Sequence, residues 1–187
     1  MRSAFALMAA TCVALAGAAC AEPPAAGTPA ATLPTPYAAE QIREAWQAGL
    51  RVEMRSTEAG VVSSQRMTVL AATPETGTIR SEALDANGVL TAPAEESTVK
   101  WCELRDHALF PADKATRGRA ECRSRLGVMQ GWRYSIPQAN GDTLTMCFAD
   151  ATPGPPVEIE LKRDEQVVSR TEHTSYERPA SGAEEKQ

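Results

Sequence analysis

Trp132-Arg133-Tyr134-Ser135-Ile136, then Pro137-Gln138-Ala139-Asn140-Gly141, then Leu144-Thr145-Met146-Cys147-Phe148: this stretch puts an apolar side chain at every second position on both sides of an Asn-Gly pair. Alternation with a period of two is the mark of a strand with one buried face, and Asn-Gly favours the tight turn that joins two antiparallel strands. The segment predicts a hairpin with Trp132, Tyr134, Ile136, Leu144, Met146 and Phe148 on one apolar face.

The same pattern continues outward in both directions. Downstream, Val157, Ile159 and Leu161 alternate and turn at Asp164-Glu165 into Val167 to Thr171. Upstream, Val52 and Met54 precede Glu58-Ala59-Gly60, and Met67, Val69 and Ala71 precede Pro74-Glu75-Thr76-Gly77. Ile79 to Leu84 ends at Asp85-Ala86-Asn87-Gly88. Connections this short force neighbouring strands to run antiparallel, as a meander. Between the two strand groups Trp101, Leu104 and Ala108 have helical spacing, closed by Phe110-Pro111. Ahead of the first strand, Ala38, Ile42, Ala45, Trp46 and Gly49 form one apolar stripe. Thr35-Pro36 reads there as N-cap and first helical residue, Glu40 suits the early turn, and Gly49 can end the helix in a left-handed conformation. A helix of about three turns is expected. An amphipathic helix needs an apolar face to cover, and a curved sheet provides one. The predicted fold is α+β: a curved antiparallel meander of about eight or nine strands, half-open and barrel-like, with an N-terminal amphipathic helix and a short central helix. It spans residues 37–173, with Trp46 and Trp132 expected in the same interior.

The chain has 187 residues, enough for one domain of ordinary size with tails. Its net charge is −5, and Arg2 is the only charge before Cys20, so a product cut there carries 18 basic and 24 acidic residues, or −6. Such a balance argues against a nucleic-acid partner, because a phosphate backbone demands positive charge or a strong basic stripe.

Met1-Arg2, the apolar run Ala4 to Ala16 broken only by Thr11 and Cys12, and the small residues Gly17-Ala18-Ala19 make residues 1–19 a secretory signal peptide. The run falls short of the ~20 residues a spanning helix needs, and no later segment approaches that length. Leu15-Ala16-Gly17-Ala18-Ala19-Cys20 resembles a bacterial lipoprotein signal, in which Cys20 becomes the acylated first residue and ties the protein to a membrane. Gly17 stands where such signals usually carry leucine, and Ala19-Cys20-Ala21 also offers an ordinary small-x-small cleavage site that would release a soluble product. Residues 20–36, with prolines at 23, 24, 29, 34 and 36, form a tether that favours extended polyproline geometry. Residues 174–187 read as a polar C-terminal tail. The address is the periplasm or the outer membrane, reached through a lipid anchor, or secretion as a soluble protein.

Element order and export signal together, over about Tyr37 to His173, resemble the periplasmic lipoprotein-carrier fold of the LolA/LppX type. In that fold a half-open barrel holds an N-terminal helix and binds acyl chains. The stretches Trp101-Cys102-Glu103-Leu104-Arg105-Asp106-His107-Ala108 and Phe148 to Val157 also resemble patterns in uncharacterised exported bacterial proteins, which imply no catalytic residues.

Of five cysteines, Cys12 is lost with the signal, Cys20 is acylated, cleaved away or left at the terminus, and Cys102, Cys122 and Cys147 remain. An oxidising compartment favours pairing two of these. Arg117, Arg119, Glu121, Arg123 and Arg125 share one face of a period-two segment, which leaves Gly118, Ala120, Cys122 and Ser124 on the other, expected to point inward. A Cys102–Cys122 disulfide is therefore favoured over Cys122–Cys147, the latter cysteine lying opposite Leu144, Met146 and Phe148. The spacings of Cys102, His107, Cys122 and Cys147 fit no zinc motif, so no metal or other cofactor is expected.

No nucleophile elbow, phosphate-binding loop or hydrolase signature is present, which argues against an enzyme. The arginine ladder, Arg117, Arg119, Arg123 and Arg125, is the one unusual charged feature. It is a candidate contact for anionic lipid or a protein partner, or else a charged edge that discourages aggregation. The expectation is a non-enzymatic exported cell-envelope protein that binds lipid, acyl chains or another envelope protein, with small inward residues Gly118, Ala120 and Ser124 leaving room for a cavity. The alternatives are an interaction lipoprotein without a cavity and a hydrolase without a recognisable motif. Nothing in the sequence indicates an oligomeric state.

Overall fold

A computed structural model describes residues 31–179. In chain order these form α1 (Ala39–Ala45), β1 (Arg51–Glu58), β2 (Val61–Ala72), β3 (Thr76–Leu84), β4 (Glu95–Lys100), α2 (Trp101–Asp106), β5 (Thr116–Ser124), β6 (Gly127–Pro137), β7 (Thr143–Ala149), β8 (Glu158–Arg163) and β9 (Gln166–Glu177). The strands build one nine-stranded sheet in the order β4-β3-β2-β1-β9-β8-β7-β6-β5, every neighbour antiparallel. The two meanders expected from the sequence meet where β9 pairs with β1. Register shifts at Glu53/Met54, Val69/Ala71 and Leu161/Lys162 add local twist and curve the sheet. Asp164 and Glu165, at φ +48° and +63°, make the two-residue turn between β8 and β9 without a glycine.

Both helices lie on one face of the sheet, here called the inner face. Ile42 from α1, Trp46 at its C-cap, and Trp101 and Ala108 around α2 pack with Val52, Val69, Ile79, Tyr134 and Phe148 from the strands. Trp132 packs against the same cluster that buries Trp46, as the alternation predicted. Two glycines admit this layer: a Cβ on Gly77 would lie 2.3 Å from the Trp101 ring, and one on Gly154 would lie 2.4 Å from Trp46 Nε1. The indoles are then fixed by hydrogen bonds, Trp46 Nε1 donating to Pro153 O at 2.8 Å and Trp101 Nε1 to Thr73 O at 2.9 Å.

The N-terminal helix is shorter than expected, seven residues, and starts later. Thr35 does not cap it; its hydroxyl donates to the Tyr37 carbonyl at 3.0 Å. Gln41 does that work, its side-chain oxygen accepting the Ala38 N–H at 2.8 Å. Pro34 to Tyr37 is held elsewhere: the Tyr134 hydroxyl donates to Pro34 O, and the Tyr37 hydroxyl donates to Ala149 O at 2.7 Å. Leu33 N–H donates to Phe110 O and Ala112 N–H to Ala31 O, so the last residues of the expected tether are docked on the domain. Gly49, expected to end the helix, does not: the helix stops at Ala45 with Trp46 as its C-cap, and Gly49, at φ +91°, makes the turn that leads into β1. At the other end, β9 continues pairing with β1 as far as Glu177, into the expected tail.

Cys122 is joined to Cys147, and this corrects the pairing favoured from sequence. The reason is a fold in the sheet that alternation cannot show. Cys122 on β5 and Cys147 on β7 are separated by β6, yet their Cα atoms are 5.4 Å apart, where a flat sheet would place next-but-one strands ~10 Å apart. The β5–β6 hairpin bends at Gly131, where a Cβ would lie 2.1 Å from Phe148 O and 2.8 Å from Cys122 Sγ. Its distal half folds back over the outer face, and Arg125 N–H reaches His173 O on β9 at 3.2 Å. Cys122, Cys147, Ala149 and Val157 form a second small core under this fold, with Ala120 and Met129 at its margin.

Candidate functional site

Strand pairing decides which residues face the helices. Arg117 pairs with Tyr134, Trp132 with Phe148, Tyr134 with Met146, and Met146 with Ile159. Ile136, Leu144 and Leu161 continue the same inner face beyond the helices. Gly118, Ala120, Cys122 and Ser124 therefore lie on the outer face and not on the inner face expected of them. The arginines, expected on a solvent face, instead begin on the helix side.

The helices cover only part of the inner face. Seven and six residues long, they measure ~10 Å each. Strands β2 and β9, of twelve residues, extend ~40 Å. The uncovered end holds an open groove of about 460 Å³ lined by Leu144, Ile159 and Leu161, with Gln138, Asn140 and Ser169 at its rim. Val61 and Val167, at the ends of β2 and β9 on that side, are 71% and 49% exposed. Asp142 fixes one wall of the groove: Arg163 donates to its two oxygens at 3.0 and 2.9 Å, and Asn140 Nδ2 donates at 2.9 Å. The Arg163 guanidinium holds the Asp142 carboxyl below the usual carboxylate range. The groove has an apolar floor and a hydrogen-bonding rim, suited to holding an apolar chain by one face.

The arginine ladder divides into two parts. Arg117 and Arg119 flank Trp132, their guanidinium carbons 3.4 and 4.8 Å from the ring centroid. Arg117 Nε also donates to the Tyr134 hydroxyl at 2.9 Å, and Arg119 makes a two-pronged pair with Asp150 at 3.0 and 2.7 Å. Arg123 and Arg125 sit on the folded-back tip. Arg125 Nε donates to Glu172 at 3.1 Å, Arg123 lies 3.6 Å from Glu121, and Arg123 N–H donates to Glu158 at 3.2 Å. Glu158 is nearly buried and also meets Arg170 at 3.1 Å and Arg133 at 3.5 Å, so it clamps the tip to the sheet.

His173 is fully buried, with neither ring nitrogen hydrogen-bonded among the described residues. Burial pulls its pKa down to about 4, so the imidazole is neutral at neutral pH. Cys20 lies outside the described residues. Among those residues no group of His, Cys, Asp and Glu is arranged to hold a metal, and no helix is long and apolar enough to cross a membrane. Alternation in the sequence marks Leu144, Ile159 and Leu161 as apolar but cannot single them out as a groove, because it reports which face a side chain takes and not how far a helix extends over it.

No protein-family model matches the chain, and no curated protein matches it. Solved structures do resemble it. A complex of Pseudomonas aeruginosa MucA/MucB matches with a TM-score of 0.48 at 16% identity, covering 78% of this chain and 57% of that one. A crystal structure of MucB matches at 0.49 and 15%, covering 78% and 58%, and MucB in complex with MucA(peri) at 0.47 and 14%, covering 77% and 55%. The chain thus spans less than two thirds of the length of these proteins, and the likeness concerns the fold alone.

Proposed function

We propose that this chain is an exported, non-enzymatic protein of the cell envelope, anchored through an acylated Cys20, whose inner-face groove takes up an apolar ligand of the acyl-chain type. The observation that carries this reading is the uncovered row Leu144, Ile159 and Leu161 on a face whose other end is packed under two helices. A groove of about 460 Å³ falls inside the ~300–1,000 Å³ range of small-ligand sites. Its polar groups sit on the rim and leave the floor free for hydrocarbon. The resemblance of residues 15–20 to a lipoprotein signal, with a proline-rich segment behind it, supports a groove held near a membrane.

Mass spectrometry of lipid released from the native protein tests the ligand. Acyl-bearing molecules at near-stoichiometric amounts in wild type and their loss in Leu161→Arg are expected. Wild type free of lipid would favour an interaction domain without a ligand. Intact mass of the membrane-extracted chain tests the anchor, with acylation at Cys20 expected and an unmodified N-terminus at Glu22 contradicting it.

A further inference from the structure

The geometry points to a second interaction site, independent of the groove: the open half-edge of β5 at Arg117 to Arg119, which accepts an extended acidic segment of a protein partner as an added strand. Two features of β5 set the direction of its backbone groups. The tight turn Arg125-Leu126 makes Ser124 and Gly127 the closing hydrogen-bonded pair, so Arg123, and with it Glu121, Arg119 and Arg117, point their N–H and C=O away from β6. Arg123 N–H accordingly reaches across to Glu158, on the side away from β6. The tip of β5 is thus used up by β8 and β9, whereas no backbone partner beyond the sheet is present for Arg117 or Arg119 among the described residues. An edge with free, outward backbone groups is the template on which extended peptides add.

Charge selects the partner. Arg119, Arg123 and Arg125 each meet a carboxylate of this chain: Asp150, Glu121 and Glu172. Arg117 meets none among the described residues; it is held by the face of Trp132 and the hydroxyl of Tyr134, which orient a guanidinium without neutralising it. Gly118 between the two arginines leaves the outer face open, since a Cβ there would touch nothing. A second copy of this chain fits poorly, because β5 against β5 would set arginine against arginine. An anionic membrane would meet the side chains but cannot pair with the backbone.

The test titrates the full mature chain with a short synthetic peptide alternating Glu and Val, and with its Lys and Val counterpart, following the backbone amides by NMR. Binding of the acidic peptide, slowed hydrogen exchange at the Arg117 and Arg119 amides, and at least tenfold weaker binding to Arg117→Gln are expected. Arg119→Pro, which removes an outward N–H that the sheet does not use, should also block binding while leaving the melting temperature of the Arg117→Gln protein as a check on folding. No binding at millimolar peptide, or equal binding of the Lys peptide, overturns the inference. So does a response to phosphatidylglycerol vesicles alone, or a concentration-dependent dimer abolished by Arg117→Gln.

Discussion

Removing either half of the Cys122–Cys147 bond should cost the same. The bond closes a loop with a sequence separation of 25 across a hairpin that would otherwise be free to unfold from the outer face. In the chain-entropy account a loop of that length lowers the entropy of the unfolded chain by ~12 cal/mol/K, or about 3.5 kcal/mol at room temperature. Both cysteines are fully buried, so neither gains from exposure when the bond is lost. Cys122→Ala, Cys147→Ala and the double variant should therefore each lose about 3.5 kcal/mol, the double no more than the singles, since the bond can be broken only once. Urea denaturation under non-reducing conditions measures this, and the melting temperature should fall by about 7–14 °C for a domain of this size. A stable Cys147→Ala protein beside a destabilised Cys122→Ala protein would refute the pairing, as would singles whose losses add.

The buried His173 makes stability depend on pH with a definite sign. Its folded pKa of about 4 lies below the ordinary 6.5, so the unfolded chain takes up the proton first and stability falls as pH drops from about 6.5 to about 4, by ~3 kcal/mol. Chemical denaturation at pH 7.5 and pH 4 should show that His173→Gln loses less than wild type over this interval; equal losses would contradict the burial. Gly77→Ala should destabilise by ~1–3 kcal/mol, because its methyl group meets a Trp101 ring that the Thr73 carbonyl holds in place. Thermal melts check this, and Gly118→Ala, which touches nothing, is the matched control. Tyr37→Phe should cost only ~0.5–1.5 kcal/mol in thermal or urea denaturation, since it removes one hydrogen bond to the buried Ala149 carbonyl, which keeps the Thr152 N–H as a donor.

Much of the fold is legible in the sequence because its strands keep a strict period of two and its turns carry Gly, Asn and Asp. Glu58-Ala59-Gly60, Asp85 to Gly88, Asn140-Gly141 and Asp164-Glu165 each mark a reversal that the structure makes. Alternation also assigned Trp132, Tyr134 and Phe148 to the face that buries Trp46. The disulfide was not legible, because the back-fold at Gly131 brings together residues that a flat sheet holds apart, and a single glycine in a strand does not announce how far the chain bends. Nor could alternation say which face Cys122 takes: it groups side chains into two sets, and a sheet buried in places on both faces has two insides. The groove was hidden for a related reason. Leu144 and Phe148 carry the same signal, yet Phe148 is 4% exposed beneath the helices while Leu144 lines the open end. Helix α1 is only seven residues long, with Trp46 as its C-cap, and alternation carries no information on that length.

The groove is the centre of the functional account, and a thermal-shift titration with a long-chain fatty acid, on wild type and Leu161→Arg side by side, tests it most directly. A ligand that binds only the folded chain raises its melting temperature with concentration. The account predicts a concentration-dependent rise for wild type and none for Leu161→Arg. A flat response in both proteins, or the same rise in both, would contradict it.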